Sequence, residues 1–182
     1  MKFNKYSTTV AIINLCLATC LTTANAQSLK QQIMPIKIDG FEYRYIAKAK
    51  LHMNICKNAQ CGQGSKVSYI FLPKVDNPSF KTFSNDRKRI AYILRQRAPA
   101  GTSFEFSNPK LRKNSFATVF SQLRKTTNSN GQVLFTMSSV IHTPINSVSM
   151  ISSSTNRKNV TANRATFGVA ITKMIRASID PK

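Results

Sequence analysis

The chain has 182 residues, and its 27 Lys and Arg against 6 Asp and Glu give a formal net charge of +21. With only six acidic side chains and two histidines, most catalytic constellations of acids, bases and nucleophiles cannot be assembled, which argues against most enzyme classes. A charge of this size opposes compaction and favours anionic partners, because its field extends beyond the protein surface.

The first 26 residues have the pattern of a cleaved signal peptide. Lys2 and Lys5 supply the positive start, an apolar stretch follows over residues 10–22, and Ala24-Asn25-Ala26 has the small-x-small form of a cleavage site. Cleavage leaves residues 27–182 as one globular domain. Two cations and no acids leave with the segment, which lowers the net charge from +21 to +19. We therefore expect a periplasmic or secreted bacterial protein.

Two further features concern the membrane. Leu17-Ala18-Thr19-Cys20 resembles an imperfect lipobox, so a lipoprotein anchored through Cys20 is the alternative to release. No later stretch of the sequence reaches the roughly 20 apolar residues of a transmembrane helix.

The first structural elements are predicted to be strands. Residues 36–38 predict a short strand, and every odd position from Phe41 to Ile55 is apolar, which is typical of a half-buried strand. We expect the odd positions to face the core and the strand to bend or break near 47–49, because it is much longer than usual. Residues 66–72 predict the return strand of a hairpin.

Cys56 and Cys61 bracket the turn of this hairpin. Export favours a disulfide between them, which would contribute about 2 kcal/mol because the closed loop is short. A metal site that adds His52 and His142 is disfavoured, because zinc sites use more closely spaced cysteine pairs. No metal and no cofactor are expected.

Two helices and further strands are predicted next. Residues 86–97 predict a helix capped at residues 84–86, and residues 102–107 a short strand. Residues 115–126 predict a second helix, because Phe116, Val119, Phe120 and Leu123 form an apolar stripe at helical spacing. Strands are predicted at 132–141, 147–151 and 164–172, with a helix over 164–178 as the alternative for the last, and a mobile loop at 152–163.

These elements predict an α+β fold. It would contain a mainly antiparallel sheet of about five or six strands, with the two helices packed on one face of the sheet.

The candidate anion-binding residues belong to two basic clusters. The first occupies the predicted first helix, where exposed amides and cations of the first turn would together attract anions. The second precedes the other predicted helix, which ends at Arg124 and Lys125. The candidates are Arg87, Lys88, Arg89, Arg95, Lys110, Arg112 and Lys113.

Catalysis has one weak candidate arrangement. His52, His142 and a nearby cation such as Lys50 could supply the acid, the base and the transition-state charge of a metal-independent ribonuclease. Any two histidines in a basic domain meet the same requirement, so both are expected to be ordinary strand or turn residues.

The sequence favours an exported, non-enzymatic interaction module whose basic surface engages an anionic partner. That partner would be an envelope polymer, a host surface or an acidic protein of a secretion or surface assembly. The alternatives are a small secreted cationic ribonuclease or toxin, and a structural subunit that assembles by β-strand addition at residues 164–172.

Overall fold

The structure, a computed structural model, describes residues 35–179. The predicted signal peptide and Cys20 lie outside these residues. The described part contains eight strands and two helices: β1 (Phe41–Ile46), β2 (Leu51–Cys56), β3 (Lys66–Pro73), α1 (Phe80–Arg97), β4 (Ser103–Phe106), β5 (Lys110–Lys113), β6 (Thr118–Thr127), β7 (Val133–His142), β8 (Asn146–Ser154) and α2 (Arg157–Ile179). The predicted α+β class is confirmed, with more strands than expected.

The strands form one antiparallel sheet in the order β1-β2-β3-β8-β7-β6-β4. The short strand β5 also pairs with β6, along residues 118–121, while β4 pairs with residues 124–127 of the same strand. Because β3 pairs with β8, the N-terminal strands β1, β2 and β3 extend the sheet from the last strand. The predicted strands at 66–72, 102–107, 132–141 and 147–151 are all present, within a few residues at each end.

The long alternating stretch breaks at 47–49, one of the two predicted outcomes, and forms a hairpin. A 3₁₀ turn at Ala47–Ala49 and Lys50, whose φ is 48°, reverse the chain, so that β1 pairs with β2. Tyr45 lies opposite His52, and odd positions of β1 therefore share a face with even positions of β2. The prediction that the odd positions face the core through Ile55 is wrong in β2, where His52, Asn54 and Cys56 are the buried residues.

The predicted disulfide is confirmed. The Cα atoms of Cys56 and Cys61 are 5.8 Å apart, and the bond closes the turn between β2 and β3. Asn163 of α2 donates its side-chain amide to the carbonyl oxygen of Cys61 at 2.9 Å, so the turn is also held against the C-terminal helix.

Helix α2 packs across β3, β8 and β7. Val160, Phe167, Ile171 and Ile175 are buried at helical spacing and, Val160 apart, belong to the main core with Val67, Tyr69, Ile141, Val148 and Met150. The predicted strand at 164–172 is therefore wrong, and the helical alternative is confirmed. The alternating apolar residues suggested a strand, but Ala165 and Val169 lie on the exposed side of the helix. The predicted loop at 152–163 is also wrong, since β8 and the start of α2 occupy it.

Helix α1 packs on the opposite face of the sheet. Phe80 and Phe83 contact Phe120 of β6 with ring centroids 5.5 Å apart. Phe120 lies opposite Val140, whose neighbour Ile141 faces α2, so Phe120 points away from α2. The two helices therefore do not share one face of the sheet, as the sequence had predicted.

Both predicted helices need correction in their bounds. Helix α1 begins six residues early, at Phe80, where Ser79 accepts a hydrogen bond from the amide of Thr82 at 3.2 Å. The second predicted helix, 115–126, is mostly strand β6. Its apolar residues fall on both faces because α1 covers one face of the sheet and α2 the other, and a strand buried on both faces loses its alternation.

The chain before β1 contributes to the core without forming the predicted strand at 36–38. Ile36 is buried, and its amide donates to the hydroxyl of Tyr69 at 2.9 Å. Across residues 35–179, neither helix has the length and apolar character that a membrane span requires.

Candidate anion-binding site

The acidic side chains that form ion pairs in the described part do so at the surface. Their partners are exposed cations, and such pairs contribute about 0–1 kcal/mol each. The pairs are Glu42 with Arg44 and Lys57, Asp76 with Lys74, Asp86 with Arg89, and Glu105 with Lys125. The arginines that pack closest to the sheet are therefore left without a carboxylate partner.

Arg87 and Arg124 form the first of two arginine pairs, between α1 and β6. The Arg87 guanidinium lies 5.3 Å from the ring centroid of Phe83, and that of Arg124 lies 6.0 Å from the ring of Phe104. Both side chains are half-buried. Within residues 35–179, no ion pair reaches either of them.

The electrostatics of this pair are unfavourable in the absence of an anion. Burial lowers the pKa of Arg87 below its ordinary value, and the charge of neighbouring Asp86 opposes that effect. Burial also lowers the pKa of Arg124, and the positive charge of Arg87 lowers it further. Both groups stay charged at neutral pH, so the fold holds two cations close together.

Hydrogen bonding in the same place is incomplete. The Nε atoms of Arg87 and Arg124 are buried without a hydrogen-bond partner, as is the hydroxyl of Thr126. Thr126 follows Arg124 by two residues on β6, so both side chains point to the α1 face. An Arg124 terminal nitrogen donates to the Thr136 hydroxyl, but at 3.5 Å this hydrogen bond is long.

Arg112 and Arg164 form a second pair on the α2 face. Arg164 donates to the hydroxyl of Ser139 at 3.3 Å. Burial lowers the pKa of Arg164, and the charge of Arg112 on β5 lowers it further. Arg112 lies opposite Val119, which places it on the same face as Ser139. Because Arg112 is exposed, this second pair is more open to solvent than the first.

The structure brings only part of the predicted basic clusters together. Arg87 points inward, whereas Lys88 and Arg89 on α1 are exposed. Arg95 is exposed as well and lies over the ring of Phe106, at 5.4 Å from its centroid. Lys110 and Lys113 are exposed at the ends of β5.

The prediction that an anion site lies in the first turn of a helix, beside the cations at 87–89, is wrong. Residues 87–89 follow Phe80 by two turns, so they do not lie at the positive end of α1. Lys110, Arg112 and Lys113 likewise precede a strand and not a helix, because β6 replaces the predicted second helix.

The sequence alone did not identify Arg124, Thr126 or Arg164 as binding residues. Arg124 was expected to end a helix, and Arg164 to lie in a strand. A strand assignment for β6 would have placed Phe120, Arg124 and Thr126 on one face, which is the pattern that identifies the site.

The two histidines lie on opposite faces of the sheet. His52 lies opposite Tyr69, on the α2 side, where it is 3% exposed and stacks on that ring at 4.6 Å. His142 contacts Phe120 on the α1 side. One phosphodiester cannot contact both side chains, so the structure does not assemble the predicted ribonuclease pair.

Each histidine has a local role in the fold. The His52 Nδ1 and the Tyr43 hydroxyl are 2.9 Å apart, and burial lowers the pKa of His52. The His142 Nδ1 and the Ser147 hydroxyl are also 2.9 Å apart, and burial lowers the pKa of His142. His52 is a buried strand residue of β2, and His142 ends β7.

The remaining candidates are placed as follows. Lys50 follows the 3₁₀ turn at the exposed end of the first hairpin, away from His142 in the sheet order. The sulfurs of Cys56 and Cys61 are joined in the disulfide and are not metal ligands. Residues 35–179 contain no group of three or more His, Cys, Asp or Glu that could hold a metal ion.

Comparison with known proteins adds little to this picture. The chain matches no protein-family model and no curated protein. Among solved structures, the crystal structure of the Saccharomyces cerevisiae Ran-binding protein Mog1p is similar with a TM-score of 0.43 at 13% sequence identity. That similarity covers 76% of this chain and 82% of the Mog1p chain.

Proposed function

We propose that the protein is an exported, non-enzymatic binding module whose basic surface engages an anionic partner. The carrying observation is that the half-buried arginines Arg87, Arg124 and Arg164 form no ion pair within residues 35–179. A domain that needed arginine only for stability would neutralise such groups, because a buried charge is costly unless it is paired.

The rest of the surface supports the same proposal. Exposed cations on α1 and β5 surround the pairs, and the net charge of +21 extends their field into solvent. Such a field steers anionic macromolecules toward the surface and accelerates their association. We propose an envelope polymer, a host surface or an acidic protein of a surface assembly as the class of partner.

Salt-dependent binding tests this proposal. Labelled heparin, as a sulfated polymer, is titrated with the mature protein at low and at physiological salt, and fluorescence anisotropy is recorded. We expect affinity to fall by about tenfold or more between the two conditions, because binding releases counterions. The Lys110→Gln/Lys113→Gln variant should bind more weakly than wild type, while Lys66→Gln on β3 serves as the control. Binding that is absent, or that does not change with salt, contradicts the proposal.

The export part of the proposal rests on residues 1–26 of the sequence. Mass spectrometry of the protein recovered from its native host should show a chain that begins at Gln27. A lipid-modified N-terminus at Cys20 would support the anchored alternative, and an intact Met1 would contradict export by this route.

A further inference from the structure

Arg87 on α1 and Arg124 and Thr126 on β6, here called the donor group, carry polar atoms that nothing in residues 35–179 satisfies. Five buried side-chain nitrogen or oxygen atoms of the described residues lack a hydrogen-bond partner, and three of them are Arg87 Nε, Arg124 Nε and Thr126 Oγ1. The other two belong to Asn54, on the opposite face of the sheet. All three atoms of the donor group can donate a hydrogen bond.

Two aromatic rings beside the donor group hold its guanidinium groups in place. Phe83 on α1 lies next to Arg87, and Phe104 on β4 lies next to Arg124. Phe104 is also the cross-strand neighbour of Thr126, which places the third donor on the same face of the sheet. Aromatic packing of this kind fixes a guanidinium without neutralising it.

The nearby carboxylates are engaged elsewhere. Asp86 lies 3.5 Å from the guanidinium of Arg89, and Glu105 points to Lys125 on the other face of β6. Asp86 acts on Arg87 through its charge alone, and no ion pair of residues 35–179 includes Arg87 or Arg124. An unpaired donor in such a place costs free energy, and a charged one costs more.

We propose that a phosphate or sulfate group binds between α1 and β6 at the donor group, with Arg87 and Arg124 as the charged donors and Thr126 as the neutral one. The inference rests on the proposed function and specifies the chemical group that the basic module recognises. A tetrahedral oxyanion has oxygens directed toward several donors at once, and phosphate is a common partner of the guanidinium group. It also supplies the negative charge that the pair lacks.

Calorimetry with inorganic phosphate and with sulfate tests the site on the mature protein in chloride buffer. Wild type should bind both ions at one site. Arg124→Met and Arg87→Met should each weaken binding by about tenfold or more, because each removes a charged hydrogen-bond donor. Lys125→Met removes the same charge from the residue next to Arg124, on the other face of β6, and should bind as wild type does.

A second measurement does not depend on any variant folding. The Nε–H resonances of arginine are followed by ¹H–¹⁵N NMR while phosphate is added to wild type. The signals of Arg87 and Arg124 should shift together with one binding constant, and those of exposed Arg97 should stay near their starting positions. If no ion binds, or if the shifts spread evenly over all arginines, the inference is overturned.

Two further probes distinguish the sources of the group. Glycerol 3-phosphate presents a soluble monoester, and vesicles of phosphatidylcholine with phosphatidic acid present the same group on a lipid surface. Binding of either probe that Arg124→Met abolishes and Lys125→Met retains supports the site and names its source. Phosphate binding without heparin binding would contradict the proposed function and leave the site standing. Heparin binding without phosphate binding would support the proposed function and contradict the phosphate site.

Discussion

The two faces of the sheet are built from different chemistry. On the α2 face, Phe167 and Ile171 meet Val148 and Met150, and all four are completely buried. On the α1 face, Phe83 and Phe120 form a smaller aromatic contact, and Arg87 and Arg124 occupy the layer beside it. The comparison indicates that the α2 face supplies most of the stability, while the α1 face keeps charge close to the sheet at a cost in stability.

The largest effect should come from the α2 face. Phe167→Ala removes a fully buried ring that contacts Phe41 edge-on at 5.0 Å, and should lower the free energy of unfolding by about 3–5 kcal/mol. Urea denaturation of the mature protein measures the change. Val169→Ala, on the exposed side of the same helix, is the matched control and should stay within about 0.5 kcal/mol of wild type. A loss below about 1 kcal/mol for Phe167→Ala would show that the α2 face does not supply most of the stability.

The disulfide should contribute less than the core. Replacing Cys56 and Cys61 with Ser opens a short loop and should cost about 2 kcal/mol in the chain-entropy model. Reducing the wild-type protein with dithiothreitol should lower its free energy of unfolding by the same amount, and this appears as a lower urea midpoint. If reduction has no effect on the midpoint, the bond does not constrain the unfolded chain.

A smaller effect concerns pH. Burial lowers the pKa of both His52 and His142, so the unfolded chain binds protons that the folded state excludes. Stability should therefore be complete above the unfolded value near 6.5 and be lost as the pH falls toward the folded pKa values. Urea midpoints at neutral and mildly acidic pH measure this slope.

Single replacements should assign the pH dependence to the two faces. His52→Phe should reduce the slope by removing the contribution of the α2 face, and His142→Phe by removing that of the α1 face. A slope that both variants leave unchanged would show that neither histidine is responsible, and that carboxylates such as Glu42, whose pKa the hydrogen bond from Lys57 lowers, dominate instead.

Sequence patterns predicted those elements of the fold that have one face exposed to solvent. The return strand β3 and the C-terminal half of α1 alternate or repeat in the ordinary way, and the disulfide follows from export and spacing. Strand β6 was missed because both of its faces are covered. Helix α2 was only the alternative prediction, because Thr and Asn recur in its N-terminal half and its exposed side carries Val169.

The site was harder to predict than the fold. Arg87 belonged to a recognised basic cluster, but its partner Arg124 comes from a strand that the pattern assigned to a helix. Their electrostatic interaction depends on how α1 crosses β6, which no local pattern records. The opposite placement of His52 and His142 likewise follows from strand register, and a residue count could not show it.

The most direct test compares the stability of Arg124→Met and Lys125→Met with that of wild type, without and with phosphate. Without phosphate, Arg124→Met should be more stable than wild type by about 1 kcal/mol, because an apolar side chain replaces an unpaired buried charge. Lys125→Met should be equal or slightly less stable, because it loses only a surface ion pair.

Phosphate should then raise the unfolding midpoint of wild type and of Lys125→Met, since a ligand that binds only the folded state stabilises it. It should leave the unfolding midpoint of Arg124→Met unchanged. The difference in stability between Arg124→Met and wild type should therefore become smaller or change sign. If Arg124→Met is less stable than wild type without phosphate and gains equally from it, the α1 face is an ordinary packed surface and not an anion site.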